Sequence, residues 1–213
     1  MKRTRILLAD DHKIVLEGLR SLLEPEFELV GTAEDGRTLL RLSEKLQPDV
    51  IVVDISMPLL NGIEAVRQIK EISPDISIVF LTMHPDVTYA ARAFDVGASG
   101  YVLKHSAPSE LVTAIHSAMK GQIYITPAIA GELIQSYKDV NHFQKETTAE
   151  LTPRQREVLQ LLAEGHSGKE IADILCISPR TVEYHKYRMM EELGIKTSSE
   201  LVGYAIKHGI VTI

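Results

Sequence analysis

The chain has 213 residues, a formal net charge of −6 and 45% hydrophobic residues, so one large domain or two modest ones can each bury a core. No window approaches the ~18 unbroken apolar residues of a membrane helix, and the basic start meets Asp10 and Asp11 too soon for a signal-peptide core of about 7–15 apolar residues. The lone cysteine, Cys176, has no partner for a disulfide or metal site and reads as a small core residue in a reducing compartment, so a soluble cytoplasmic protein with no membrane contact is expected.

From Arg5 to about Gly121, short apolar runs alternate with helical patterns. "RILLAD", "FELVGTAE", "VIVVD", "ISIVFLT" and "GYVLK" are the strand candidates. Helix candidates lie between them: "HKIVLEGLRSLLE", whose leucines and valine repeat at helical spacing, and segments starting near Gly36, Gly62, Asp86 and Pro108. This alternation predicts an α/β fold, a doubly wound five-stranded parallel sheet of flavodoxin-like order 2-1-3-4-5. After Gly121 the strand signals stop. One short helix candidate, 127–137, leads into an unpatterned polar run, 139–150. The predicted organisation is thus a first domain over 1–121, a linker with a short helix over 122–150, and a small all-α domain of four helices over 151–213. In that last domain Thr152, Ser167 and Thr197 each stand three residues before a Gln or Glu, the spacing of a capping box, and Ser178 precedes Pro179.

Asp10 and Asp11 end the first strand candidate, Asp54 the third and Thr82 the fourth, while Lys104 lies just beyond the fifth. All fall on the carboxyl edge of the sheet, where open α/β sheets place their ligands. A single carboxylate at such a place is most often a loop cap. Three that converge must be partly protonated, paired with a cation such as Lys104, or bound to a hard metal ion, and Mg²⁺ suits few carboxylates completed by other oxygens.

With "LLADDH", "DISMP", "LTMH" and "GYVLK" in this order, the first ~121 residues resemble a receiver domain of bacterial two-component response regulators. The resemblance implies that Asp54 accepts a phosphoryl group from a sensor histidine kinase. It also implies that Asp11, Asp54 and the Ser56 carbonyl hold Mg²⁺, with Asp10 acting through water, and that Lys104, Thr82 and Tyr101 stabilise and relay the phosphoryl signal. Many receivers have proline after the lysine, where this chain has His105, which raises the question of a cis Lys104–His105 peptide. An aspartyl-phosphate enzyme of the haloacid-dehalogenase type would carry a second Asp at position 56, where Ser56 stands, and no glycine-rich dinucleotide fingerprint follows the first strand. A signalling protein rather than an enzyme is expected.

"HSGKEIADILCISPRTVEYHKYRMMEELGI" reads as helix, tight turn, helix. On the second helix Val182, Met189 and Leu193 share one face, and a polar face with two tyrosines lies opposite. Together with "LTPRQREVLQLLAEGHSGKEIA" the stretch resembles the LuxR-type helix-turn-helix, and the whole chain a NarL/FixJ-type response regulator. The resemblance implies double-stranded DNA with inverted half-sites as ligand, a homodimer on activation, and RNA polymerase as a further candidate partner. It implies Glu183, Tyr184 and Tyr187 as base-reading residues and Arg180, Thr181, Lys186, Arg188 and Lys169 as phosphate contacts, with Arg154 a possible addition. Family members often carry a basic residue where Glu183 stands. Neither half is basic overall, with 14 Lys and Arg against 19 Asp and Glu up to Val140 and 9 against 10 beyond it, so DNA contact must come from a local cluster. The competing reading is a phosphorylation-controlled adaptor whose helical domain binds a protein. The last helix candidate, with Leu201, Val202, Ala205 and Ile206 at near-helical spacing, serves either as a dimer element or only for packing its own domain.

Overall fold

The computed structural model describes residues 3–106, 108–138 and 151–211. It divides into two compact units, one built on a sheet and one on the carboxy-terminal helices. The first unit runs β1 (Arg5–Ala9), α1 (Lys13–Leu23), β2 (Glu28–Ala33), α2 (Gly36–Leu46), β3 (Val50–Val53), α3 (Gly62–Ile72), β4 (Ser77–Thr82), α4 (Val87–Asp95), β5 (Gly100–Leu103) and α5 (Pro108–Met119). These are the five strands and five helices that the periodicity predicts. All neighbouring strands are parallel, in the order β2-β1-β3-β4-β5-β6.

The sixth strand, β6 (Tyr124–Ile125), corrects the expectation that strands end at Gly121. Two residues cannot show an alternating pattern, so only pairing with β5 reveals it. The helix α6 (Pro127–Lys138) follows at once. The polar run 139–150 lies outside the described residues.

β3 sits between β1 and β4, with all four residues buried, which is why its sequence is a continuous apolar run rather than an alternating one. One core layer joins Ile6 and Leu8 of β1, Val50 and Val52 of β3, and Val79 and Leu81 of β4 to Leu16 and Leu23 of α1 and Leu111 and Ile115 of α5. The helix boundaries are set locally. Asp35 caps α2 by accepting from Thr38 N–H (2.8 Å), Asp86 caps α4 by accepting from Thr88 N–H (2.7 Å), and Gln47 ends α2 at φ 45°.

The second unit holds α7 (Pro153–Ala163), α8 (Gly168–Leu175), α9 (Pro179–Leu193) and α10 (Ser198–Lys207). Thr152 with Gln155 and Ser167 with Glu170 form reciprocal capping boxes, and Ser178 accepts from Thr181 N–H. Thr197 caps α10 through Glu200 N–H, but the Glu200 carboxylate reaches past it to accept from Lys196 N–H (2.8 Å), so the third box is only half made. Val158, Leu161, Ile171, Leu175, Val182, Met189, Leu201 and Ala205 form the core. Leu201 and Ala205 of α10 therefore pack within their own unit, while Ile206 is 37% exposed. Cys176 is exposed, against the expectation of a core residue: it ends α8 with φ 52°, and that left-handed turn directs its side chain outward.

Candidate phosphoacceptor site and groove-reading helix

The register of the sheet assembles the carboxylate site. Ala9 pairs with Val53, so Asp10 and Asp54 are the next residues on adjacent strands, and Asp54 N–H donates to the Ala9 carbonyl (2.9 Å). On the other side Thr82 pairs with Leu103, and Lys104 N–H donates to the Thr82 carbonyl (2.8 Å). Lys104 then reaches back across the edge. Its Nζ lies 2.6 Å from Asp54 Oδ2 and 2.7 Å from Asp10 Oδ2, while both carboxyl side chains are almost fully buried. Asp54 Oδ1 accepts from Ile55 N–H (2.7 Å), and Asp10 Oδ1 accepts from His12 N–H (2.9 Å). Of the alternatives open to converging carboxylates, pairing with Lys104 is thus realised for two of the three.

Burial raises the pKa of Asp54 above the ordinary carboxylate range; the Lys104 hydrogen bond and charge pull it back, and the Asp10 charge pushes it up again. Burial acts to lower the pKa of Lys104, but its bonds to the two carboxylates outweigh this and the pKa is raised. The lysine stays charged, and it favours the ionised form of the buried Asp54.

Asp11 stands at the outer side of the site, its carboxyl 2.8 Å from His12 Nδ1. Ligand atoms of Asp10, Asp11 and His12 lie within 4.8 Å of one another. His12 was not among the residues that sequence reasoning selected, although it directly follows the acidic pair. The carboxylate oxygens of Asp11 and the deeply buried Asp10 are hard donors that fit Mg²⁺, whereas the His12 nitrogen is the softer member of the group.

Thr82 and Tyr101 are both fully buried. Thr82 Oγ1 accepts from His84 N–H (3.3 Å), and Tyr101 Oη donates to the His84 carbonyl (2.8 Å). The Tyr101 ring therefore lies inside the fold. His84 is the second residue that the sequence did not single out. Its Nε2 lies 2.8 Å from Ser56 Oγ and its ring stacks on Tyr89 at 4.4 Å, so it links the loop after Asp54 to the loop after Thr82. Positions 56 and 84 are too far apart in sequence for any local pattern to pair them. All peptide bonds among the described residues are trans, Lys104–His105 included.

In the second unit α8, the turn at Cys176–Ser178 and α9 make the helix-turn-helix. Val182 and Met189 are fully buried, whereas Tyr184 and Tyr187 are 60% and 64% exposed. The helix thus leaves two large aromatics exposed opposite its core face. Arg180, Arg188 and Lys169 are exposed, while Thr181, Glu183 and Lys186 are half-buried. The cations of α9 are partly matched by its own acids: Lys186 lies 3.6 Å from Glu183, and Arg188 lies 3.3 Å from Glu191 and 3.0 Å from Glu192. Arg154 is tied down as well, donating to Glu157 (2.7 Å) and to the Leu175 carbonyl (2.8 Å), so it braces α7 against the end of α8.

Comparison with known proteins covers both units. Residues 6–116 match the response regulator receiver domain family, and residues 149–205 match the bacterial regulatory proteins of the luxR family. The transcriptional regulatory protein DegU of Brevibacillus brevis is 34% identical over 99% of this chain and 96% of its own length. The response regulator GacA of Pseudomonas aeruginosa is 35% identical over 97% of each chain. Among solved structures, RcsB from Salmonella enterica serovar Typhimurium, bound to the promoter P1flhDC in the presence of the phosphomimetic BeF3−, is similar with a TM-score of 0.61 and 31% identity, covering 95% of this chain and 98% of that one. A LuxR-family two-component response regulator from Aurantimonas sp. SI85-9A1 is 40% identical with a TM-score of 0.62, over 65% of this chain and all of that one.

Proposed function

This chain belongs to the response regulators that join a receiver domain to a LuxR-type output domain, and from that membership we propose that Asp54 is its phosphoacceptor and α9 its DNA-reading helix. The observation that carries the first assignment is the buried Asp54–Lys104–Asp10 arrangement at the carboxyl ends of β3, β5 and β1. A phosphoryl group arriving from a kinase phosphohistidine is attacked by a carboxylate oxygen of Asp54, the P–N bond breaks, and the imidazole leaves. Lys104 is placed to meet the charge on the phosphoryl oxygens, which is the main demand of such a transfer. Asp10, Asp11, Asp54 and the Ser56 carbonyl would hold Mg²⁺, which supplies further positive charge at those oxygens. Thr82, with its hydroxyl beside the site and already bonded to His84 N–H, then donates to a phosphoryl oxygen and fixes the loop that holds Tyr101.

The output is regulation of transcription through DNA. α9 enters the major groove with Tyr184, Tyr187 and Glu183 toward base edges, and Glu183 can accept from cytosine N4. Arg180, Thr181, Lys186, Arg188 and Lys169 meet phosphates, Lys186 and Arg188 exchanging their intrahelical acids for them. Few cations per copy make a second copy necessary for tight binding, so a phosphorylation-promoted homodimer reading inverted half-sites follows. Incubating the protein with a small-molecule phosphodonor and Mg²⁺ is expected to add one alkali-labile phosphoryl group, and Asp54→Ala to abolish it. Undiminished uptake by Asp54→Ala would overturn the assignment.

A further inference from the structure

The chain beyond α5 is stitched to β5, which carries Tyr101, and packs on α4. Thr126 N–H donates to the Tyr101 carbonyl (3.0 Å), Tyr124 N–H to the Ser99 carbonyl (3.0 Å), and Leu103 N–H to Thr126 Oγ1 (3.2 Å). Thr126 is 3% exposed, so water is not at hand to replace a partner lost there. Ile129 N–H donates to the Thr126 carbonyl as α6 begins, and α6, with Ile129 and Leu133 buried, packs on α4. α4 follows directly on the loop whose His84 carbonyl holds the Tyr101 hydroxyl. The segment 122–138 thus has its strand on one side of the Tyr101–His84 bond and its helix on the element that follows the other.

We propose that β6 and α6 form a strap whose docking is coupled to the inward position of Tyr101, so that a phosphoryl group on Asp54 tightens it. The proposal rests on the phosphoacceptor assignment for Asp54. Inward Tyr101 and docked strap occur together in one structure, and they share the Tyr101 backbone. Coupled in this way, whatever favours the first favours the second, by the reciprocity of linked equilibria. A two-residue edge strand and the helix after it belong to the low-stability end of a domain, where a local bond can shift the balance between open and closed. The same segment precedes the helix-turn-helix unit along the chain.

Hydrogen exchange on the full-length protein with Mg²⁺, with and without beryllofluoride as the phosphoryl mimic, tests the coupling. Peptides over 50–58 report occupancy of the site, and peptides over 122–135 report the strap. Both are expected to exchange several-fold more slowly with the mimic, and Thr126→Val is expected to lose the slowing over 122–135 while keeping it over 50–58. Should Thr126→Val fail to fold, Leu133→Ala, which loosens α6 on α4, carries the same expectation. Slowing over 50–58 with unchanged or faster exchange over 122–135 overturns the strap, as does a variant whose strap slows like the wild type. No slowing over 50–58 counts against the phosphoacceptor assignment itself, and the strap falls with it.

Discussion

At the scale of single residues, Lys104 decides the character of the site. It is the cation shared by two buried carboxylates, and removing one partner of a buried ionic group leaves the others uncompensated, at a cost of about 3–5 kcal/mol. Lys104→Met is therefore expected to lower stability by that order in metal-free buffer, with Mg²⁺ restoring part of it; thermal unfolding with and without the ion measures both. A stability equal to wild type in chelator would mean that the carboxylates do not depend on the lysine. Asp54 makes the complementary case. Its raised pKa means that the native state holds the proton more tightly than the unfolded chain, so this group's contribution is lost as pH rises from the unfolded value near 3.8 through the raised native one. Asp54→Asn lacks that loss. As pH rises above the unfolded value, the denaturation midpoint of the variant should gain on that of the wild type, and a constant gap would contradict the sign.

At the scale of elements, the loop from β3 to α3 shows how tightly the backbone approaches Asp54. Gly62 N–H donates to the Ile55 carbonyl (2.8 Å), and a Cβ at Gly62 would lie 2.0 Å from the Asp54 carbonyl oxygen. Backbone cannot yield as a flexible side chain can. Gly62→Ala is expected to cost on the order of 3 kcal/mol or more and to displace the Asp54 loop, lowering both the unfolding midpoint and phosphoryl uptake. Wild-type values for both would show that α3 can shift to accommodate the methyl. The same scale explains the helical unit: its helices begin where side chains cap them, and α9 is amphipathic because Val182 and Met189 bury while the tyrosines do not.

At the scale of the whole molecule, the proposed link between phosphorylation at Asp54 and DNA binding runs through two copies of α9. Tyr184→Ala should relax base preference, because the ring lies on the exposed face. Arg188→Ala should weaken all sequences alike and reduce the salt slope by about one ion, although its pairs with Glu191 and Glu192 temper the change. Asp54→Ala should lose the gain that phosphorylation confers. Binding titrations of the three variants at several salt concentrations separate these outcomes, and equal, phosphorylation-independent binding by all three would remove both the helix assignment and the coupling. A salt-insensitive interaction would favour a protein ligand instead.

Five strands, their helices and the sheet edge at which the chemistry gathers were legible in the sequence alone. Buried parallel strands must be continuous apolar runs, helices announce their caps, and the residues that end β1, β3 and β4 must share one side of a parallel sheet. It also contained the ion pairs of Arg188, readable from spacings of three and four on a helix. The folded chain was needed to show that Lys104 pairs with Asp10 and Asp54 together, that His84 joins Ser56 to Tyr101, that Cys176 faces outward, and that Tyr124 and Ile125 form a sixth strand. Each of these depends on groups brought together from distant positions, or on a turn conformation or a pairing too short to repeat. A pattern read along the chain reports what recurs at 2 or 3.6 residues, whereas a single contact between remote segments leaves no period behind.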